Sequence, residues 1–68
     1  MVLIFGKNGC PYTEAAIEDC RNRRVAHEYI NVKLNPADLE RMLVYSKGKR
    51  RVPVIVDGDK VIIGFGGT

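Results

Sequence analysis

The sequence FGKNGCPYTE, residues 5–14, passes from an apolar segment through a short loop into a predicted helix. The apolar run VLIF, residues 2–5, stops at Gly6, and this pattern predicts a strand that is buried on both faces. Pro11 suits the first turn of a helix, where its missing N–H is not needed. Cys10 is therefore predicted to lie between an interior strand and the start of a helix.

The residues that follow predict a helix and then a second strand. The helix covers residues 11–24 and has an apolar stripe of Ala16, Ile17 and Cys20 at helical spacing. The strand covers residues 25–32, VAHEYINV, because four of these residues favour β-structure. A helix between two strands predicts that the strands pair in parallel.

The second predicted helix has signals at both ends. Asn35 is a favourable N-cap, Pro36 suits the first helical position, and Gly48 ends the helix. The apolar stripe of this helix consists of Leu39, Met42 and Leu43.

The last part of the chain predicts an antiparallel hairpin. The strands are VPVIV, residues 52–56, and KVIIG, residues 60–64, separated by the turn sequence DGD. The complete order is β-α-β-α-β-β, which predicts an α/β fold with a four-stranded mixed sheet in a single domain over residues 1–68.

The composition is that of one compact domain. The 68 residues are 46% hydrophobic and 28% charged, which excludes a disordered chain and a second domain. The apolar start MVLIF is too short for a membrane span and lacks the features of a signal peptide. We therefore expect no membrane partner.

The net charge of +3 comes largely from the run KGKRR, residues 47–51. Such a run is usually a solvated loop, and no aromatic stacking pattern or nucleic-acid-binding motif accompanies it. We therefore expect no nucleic-acid partner.

Cys10 and Cys20 are the two cysteines of the chain. On one helix they would lie roughly 15 Å apart, beyond the reach of a disulfide. The absence of a structural disulfide favours a reducing compartment, so we expect a cytoplasmic protein. Cys20 falls on the apolar stripe and is interpreted as a core residue.

Four segments in the right order resemble the glutaredoxin branch of the thioredoxin fold. They are KNGCPYT (7–13), INV (30–32), RRVPVIV (50–56) and IIGFGG (62–67). The likeness extends over residues 2–67 and implies a thioredoxin-like, glutaredoxin-like fold. The C-terminal helix of that family is expected to be short or missing, because the sequence stops at Thr68.

The sequence also departs from the family pattern. Thr13 stands where glutaredoxins usually have a second active-site cysteine, so the resemblance implies a monothiol variant with a Cys-Pro-Tyr-Thr site. Ile63 replaces the first glycine of a Gly-Gly-x-Asp-Asp segment, and Gly66 and Gly67 replace its acidic residues.

The chemistry of the predicted site depends on Cys10 as the nucleophile. A thiol attacks a disulfide only as the thiolate, so its pKa must be lowered. The positive end of the helix, begun by Pro11, and the nearby cation of Lys7 would stabilise the thiolate, and Thr13 could donate a hydrogen bond to it.

The resemblance implies glutathione as co-substrate, with glutathionylated or disulfide-containing proteins as partners. Cys10 would exchange with their mixed disulfides in a thiol–disulfide oxidoreductase reaction that serves cell redox homeostasis and electron transport. Pro53 would be cis and would present the Val52 backbone to the peptide. The residues predicted to contact glutathione or substrate are Lys7, Tyr12, Arg51, Val52, Pro53, Gly64, Phe65 and Gly66.

Other functions remain open at this point. One is a non-catalytic binding module or an iron–sulfur cluster carrier that uses Cys10, although Pro11 disfavours a cluster in this family. Another is an electron donor to ribonucleotide reductase, suggested by VIIGF at residues 61–65, but such donors normally need two active-site cysteines and Thr13 argues against it.

The remaining candidate residues receive structural interpretations. His27 has no second ligand at suitable spacing, so we predict a half-buried strand position and no metal site. Tyr29 and Tyr45 are interpreted as packing residues or surface rings. If the missing helix leaves the sheet uncovered, an apolar surface would favour a homodimer.

Overall fold

The computed structural model describes residues 1–65. The elements are β1 (Val2–Gly6), α1 (Pro11–Asn22), β2 (His27–Asn31), α2 (Pro36–Ser46), β3 (Val54–Asp57) and β4 (Lys60–Ile63). This order confirms the predicted β-α-β-α-β-β arrangement. No helix follows β4 within residues 1–65.

The four strands form one mixed sheet in the order β2-β1-β3-β4. The pairing of β1 with β2 is parallel, whereas β1 with β3 and β3 with β4 are antiparallel. Both predicted pairings, the parallel pair and the terminal hairpin, are confirmed. Because β1 is an interior strand, the loop that follows it emerges from the middle of the sheet.

Two apolar clusters cover opposite faces of the sheet, and β1 contributes to both. Ile4 and Phe5 are each 0% exposed and point to opposite faces, as expected for consecutive residues of a strand. The α2-side core contains Phe5, Ile30, Val32, Met42, Val54 and Val56. The α1-side core contains Val2, Ile4, Ala16, Cys20 and Ile55. The prediction that Cys20 is a core residue is confirmed.

The predicted bounds of α1 and β2 are wrong by a few residues. Helix α1 ends at Asn22 rather than at residue 24, because Arg24 has a left-handed φ of 56° and cannot continue the helix. The N–H of Val25 donates to the carbonyl of Cys20, so Val25 belongs to the turn and β2 begins at His27. His27 is half-buried in this strand, as predicted.

The strands around the hairpin and β1 also differ from the prediction. Strand β1 includes Gly6 instead of stopping at Phe5. Strand β3 begins at Val54 rather than at residue 52, and Pro53 has no N–H to offer the ladder. The predicted cis bond between Val52 and Pro53 is confirmed.

Helix α2 follows its sequence signals. The Asn35 side chain accepts a hydrogen bond from the N–H of Ala37 at 2.9 Å, and Pro36 begins the helix. At the other end, the N–H of Gly48 donates to the carbonyl of Leu43 at 2.9 Å. Within residues 1–65 neither helix is long and apolar enough to cross a membrane.

Candidate active site

Cys10 is the N-cap residue of α1, with φ −88° and ψ 115°, and is 8% exposed. Residues 7–9 lead from β1 to Cys10, and Gly9 has a left-handed φ of 78° that turns the chain into the helix. Pro11 occupies the start of the helix, where its missing N–H costs nothing. The sulfur of Cys10 thus lies at the positive end of α1, as the sequence predicts.

The pKa of the Cys10 thiol lies below its ordinary value, mainly because the nearby Thr13 hydroxyl favours the ionised sulfur. The backbone N–H groups of Thr13 and Tyr12 lower the pKa further, as expected for unpaired donors at a helix N-terminus. Burial of the thiol acts in the opposite direction, and the charge of Lys7 gives the smallest lowering. The balance favours a reactive thiolate.

Thr13 is completely buried between Cys10 and β1. Its hydroxyl has no hydrogen-bond partner of ordinary geometry within residues 1–65. Because an unpaired buried hydroxyl is costly, ionisation of Cys10 would provide the acceptor that this hydroxyl lacks. A Cβ on Gly6 would lie 2.6 Å from the Thr13 hydroxyl oxygen and closer still to its methyl carbon. The absence of a side chain at Gly6 therefore creates the space for Thr13.

A cationic groove of about 210 Å³ begins at Lys7 and runs toward the first turn of α2. Its charged lining residues are Lys7, Lys33 and Arg50, and its apolar lining residues are Val32, Leu39 and Val52. None of the three cations forms a salt bridge within residues 1–65. An anion entering this groove would meet positive charge without displacing an acidic side chain of the described part of the chain.

The structure brings some of the predicted glutathione contacts together. Lys7 and Val52 line the same groove. The N–H of Gly64 donates to the carbonyl of Pro53 at 2.7 Å, so the end of β4 lies beside the predicted docking segment. Tyr12 is 41% exposed, and its contact with glutathione stays a prediction.

Other predicted contacts lie elsewhere. Arg50, and not Arg51, lines the cationic groove, so a contact from Arg51 stays a prediction. Phe65 is partly buried against the α1-side core, and its backbone contact with a ligand stays a prediction. Gly66 lies outside the described residues.

Sequence reasoning missed two residues of the site. The sequence predicts no role for Lys33, yet Lys33 lines the groove two residues after the end of β2. Tyr29 is a packing residue, as the sequence predicts, but its hydroxyl also donates to the side-chain oxygen of Asn8 at 2.8 Å. Strand alternation could have found Tyr29, since Tyr29 is paired with Ile4 and shares the face of the sheet that α1 covers.

Comparisons with known proteins support this description. The family model for glutaredoxin matches residues 2–62. The solved structure of the glutaredoxin Grx-1 from Archaeoglobus fulgidus is 28% identical, with a TM-score of 0.83 over 96% of this chain and 75% of that chain. The NrdH-redoxin from Escherichia coli, a glutaredoxin-like protein with a thioredoxin-like activity profile, is 31% identical, with a TM-score of 0.82 over 96% of this chain and 83% of that chain. None of the curated proteins matches the chain.

These similarities cover the same elements as the predicted resemblance. The matched residues 2–62 include Cys10 and the groove. They also include the whole of three of the four segments that carry the resemblance. The sheet order, the helix that begins beside the thiol and the family match together confirm a thioredoxin-like fold. The chain belongs to the glutaredoxin family, a family of thiol–disulfide oxidoreductases.

Proposed function

We propose that the protein catalyses monothiol exchange through Cys10, with glutathione as the second thiol. The observation that carries this proposal is the combination of a lowered Cys10 pKa with a buried Thr13 in the position of a resolving cysteine. Cys20 is 3% exposed in the α1-side core, which does not suit a resolving role. The thiol that completes the reaction therefore comes from another molecule.

The reaction consists of two exchange steps. In the first, the Cys10 thiolate attacks the glutathione sulfur of a protein mixed disulfide, a Cys10–glutathione disulfide forms, and the protein thiolate leaves and takes a proton from water. In the second, the thiolate of another glutathione attacks the glutathione sulfur bound to Cys10. This step releases glutathione disulfide and restores the Cys10 thiolate. The enzyme therefore undergoes no net oxidation over the two steps.

The cationic groove supports glutathione as the co-substrate. Glutathione carries two carboxylates, and the groove presents Lys7, Lys33 and Arg50 without acidic partners among the described residues. The apolar lining gives the rest of the tripeptide a surface to pack on. Because glutathione is abundant in the reducing cytoplasm, we assign the protein to that compartment.

Trapping of the first intermediate tests the proposal. The reduced protein, treated with glutathione disulfide, should gain a single glutathionyl group on Cys10, and added glutathione should remove it. Steady-state rates should follow a ping-pong pattern, because the first product leaves before glutathione binds. Modification of Cys20, a disulfide between Cys10 and Cys20, or an adduct that glutathione cannot release would contradict monothiol exchange.

Substitution in the groove tests where glutathione binds. Arg50→Gln should raise the KM for glutathione by about threefold to tenfold, because a charge-assisted contact is lost. Arg51→Gln removes the same charge outside the groove lining and should have a smaller effect. Equal effects of the two variants would mean that only the overall charge matters.

A second candidate is an electron donor that reduces protein disulfides, including that of ribonucleotide reductase. The observation in its favour is the 31% identity to NrdH-redoxin, whose activity profile is described as thioredoxin-like. Turnover of a protein disulfide with a dithiol reductant and no glutathione would favour this candidate. Dependence on glutathione would favour monothiol exchange.

The iron–sulfur carrier is the remaining alternative. No group of three His, Cys, Asp or Glu side chains suited to a metal ion occurs within residues 1–65. Cys10 would therefore need glutathione and a second copy of the chain to complete the ligand set. Protein purified without oxygen should be colourless under monothiol exchange and coloured under this alternative.

A further inference from the structure

Tyr29 forms the one side-chain hydrogen bond that ties residues 7–9 to the sheet in the described part of the chain. It lies on β2, half-buried, and its ring packs against the α1-side core. The hydroxyl extends beyond this core and donates to the side-chain oxygen of Asn8 at 2.8 Å. The bond links positions that are 21 residues apart in the sequence. A rigid element of the fold thus holds the loop that leads to Cys10.

The loop has little else to hold it. Lys7, Asn8 and Gly9 are all exposed. None of them takes part in the backbone hydrogen bonds that connect turns and loops within residues 1–65. Loops with few buried contacts sample several conformations unless they are anchored. The direction in which the loop enters α1 sets where the Cys10 sulfur points, because Cys10 is the N-cap.

Tyr29 also lies close to the reactive thiol. Tyr29, Asn8 and Thr13 line one cavity of about 200 Å³ on the α1 side of the loop. Burial raises the pKa of the Tyr29 phenol, and the negative charges of Cys10 and Glu14 raise it further. The phenol therefore keeps its proton at neutral pH and remains a donor to Asn8.

We infer that Tyr29 is a positioning residue for the Cys10 thiolate, which acts by anchoring Asn8 and the loop of residues 7–9. This inference rests on the proposed role of Cys10 as nucleophile. Without the anchor, the loop is free to turn the sulfur away from the backbone N–H groups and the hydroxyl at the start of α1. The thiol then loses part of the stabilisation of its ionised form.

Tyr29→Phe is the first test, since it removes only the hydroxyl and keeps the packed ring. At pH values below the wild-type midpoint, the rate of Cys10 alkylation by iodoacetamide, quantified by peptide mass spectrometry, should fall by about threefold to tenfold, the range expected for loss of one hydrogen bond. The pH midpoint of alkylation should move upward. The alkylation rates of the variant and the wild type should converge at alkaline pH, where Cys10 is ionised in both proteins. Alkylation requires no glutathione, so this result is independent of the monothiol exchange.

Two further variants separate positioning from general destabilisation. Asn8→Ala removes the acceptor and should reproduce the shift, and the double variant should show no additional loss, because both changes break the same bond. Tyr45→Phe is the matched control, since Tyr45 is a partly exposed tyrosine that packs against Phe5 of the α2-side core, with ring centroids 5.8 Å apart. An unchanged pH midpoint in Tyr29→Phe, a shift of equal size in Tyr45→Phe, or additive effects of Tyr29→Phe and Asn8→Ala would overturn the inference.

Discussion

Gly6→Ala is expected to lower the free energy of unfolding by about 3 kcal/mol. The new Cβ would lie 2.6 Å from the hydroxyl oxygen of Thr13 and 3.0 Å from its Cβ. The Cβ of Thr13 is fixed to the helix backbone, so α1 must move to relieve the contact. The φ of Gly6 is outside the left-handed region, so the loss comes from lack of space and not from backbone strain.

This loss is large for a chain of 68 residues, whose total stability is about 3–10 kcal/mol at typical values per residue. Urea unfolding, followed by circular dichroism, should show a much lower midpoint for Gly6→Ala. Gly9→Ala is the matched control, because Gly9 has a positive φ but no atom within 4 Å of its added Cβ. It should lose only about 1 kcal/mol, the usual cost of a left-handed alanine.

Thr13→Ala tests whether the contact between Thr13 and the new Cβ at Gly6 causes the loss of stability. Thr13→Ala removes the methyl and hydroxyl groups that a Cβ at Gly6 would meet. In the Thr13→Ala background, Gly6→Ala should therefore lower the free energy of unfolding much less. Additive losses in the double variant would show that the crowding lies elsewhere. A Gly6→Ala protein as stable as the wild type would contradict the packing described for α1 on β1.

The order of the elements and the position of Cys10 could be predicted because the signals for them are local. Pro11 marks the start of α1, and Asn35 with Pro36 marks the start of α2. Each signal depends on backbone groups within one turn of the helix, which the sequence places side by side. The N-cap position of Cys10 follows directly from the position of Pro11.

The element bounds that differ from the prediction lack such local signals. Arg24 adopts a positive φ although it is neither glycine nor asparagine, so nothing in the sequence marks the end of α1 before it. The sequence predicts Gly6 only as the end of a strand. Its contact with Thr13 joins residues from two elements and depends on how closely α1 approaches β1.

The groove and the loop anchor depend on tertiary structure in the same way. Arg50 and Arg51 are adjacent and chemically identical, and only the path of the chain before β3 decides that Arg50 lines the groove. The bond from Tyr29 to Asn8 requires the parallel pairing of β1 and β2 to bring the two residues together. Family resemblance did not reveal this bond, because Tyr29 lies outside the four recognised segments, although Asn8 lies within KNGCPYT.

Cys10→Ser is expected to reduce glutathione-dependent turnover by at least about a thousandfold, to the uncatalysed rate. A serine hydroxyl is almost fully protonated at neutral pH, and it cannot form a disulfide with glutathione. Cys20→Ala is the matched control, since it removes the other thiol without burying a new polar group in the α1-side core. It should retain most of the activity of the folded protein. Loss of turnover in Cys20→Ala with wild-type folding would contradict the assignment of Cys10 as the sole nucleophile.

The same variant has a readout that requires no substrate. The folded-state pKa of Cys10 lies below 9.0, the ordinary pKa of the thiol. At a pH between these two pKa values, the Cys10 thiol therefore binds more protons in the unfolded chain than in the folded one. The wild type should therefore gain stability over Cys10→Ser as the pH rises through this window, and the gain should be complete above 9.0. It should disappear as the pH falls through the folded-state pKa, where the thiol is protonated in both states. Urea unfolding of both proteins across this range measures the difference, and a difference that does not change with pH would mean that the start of α1 does not stabilise the thiolate.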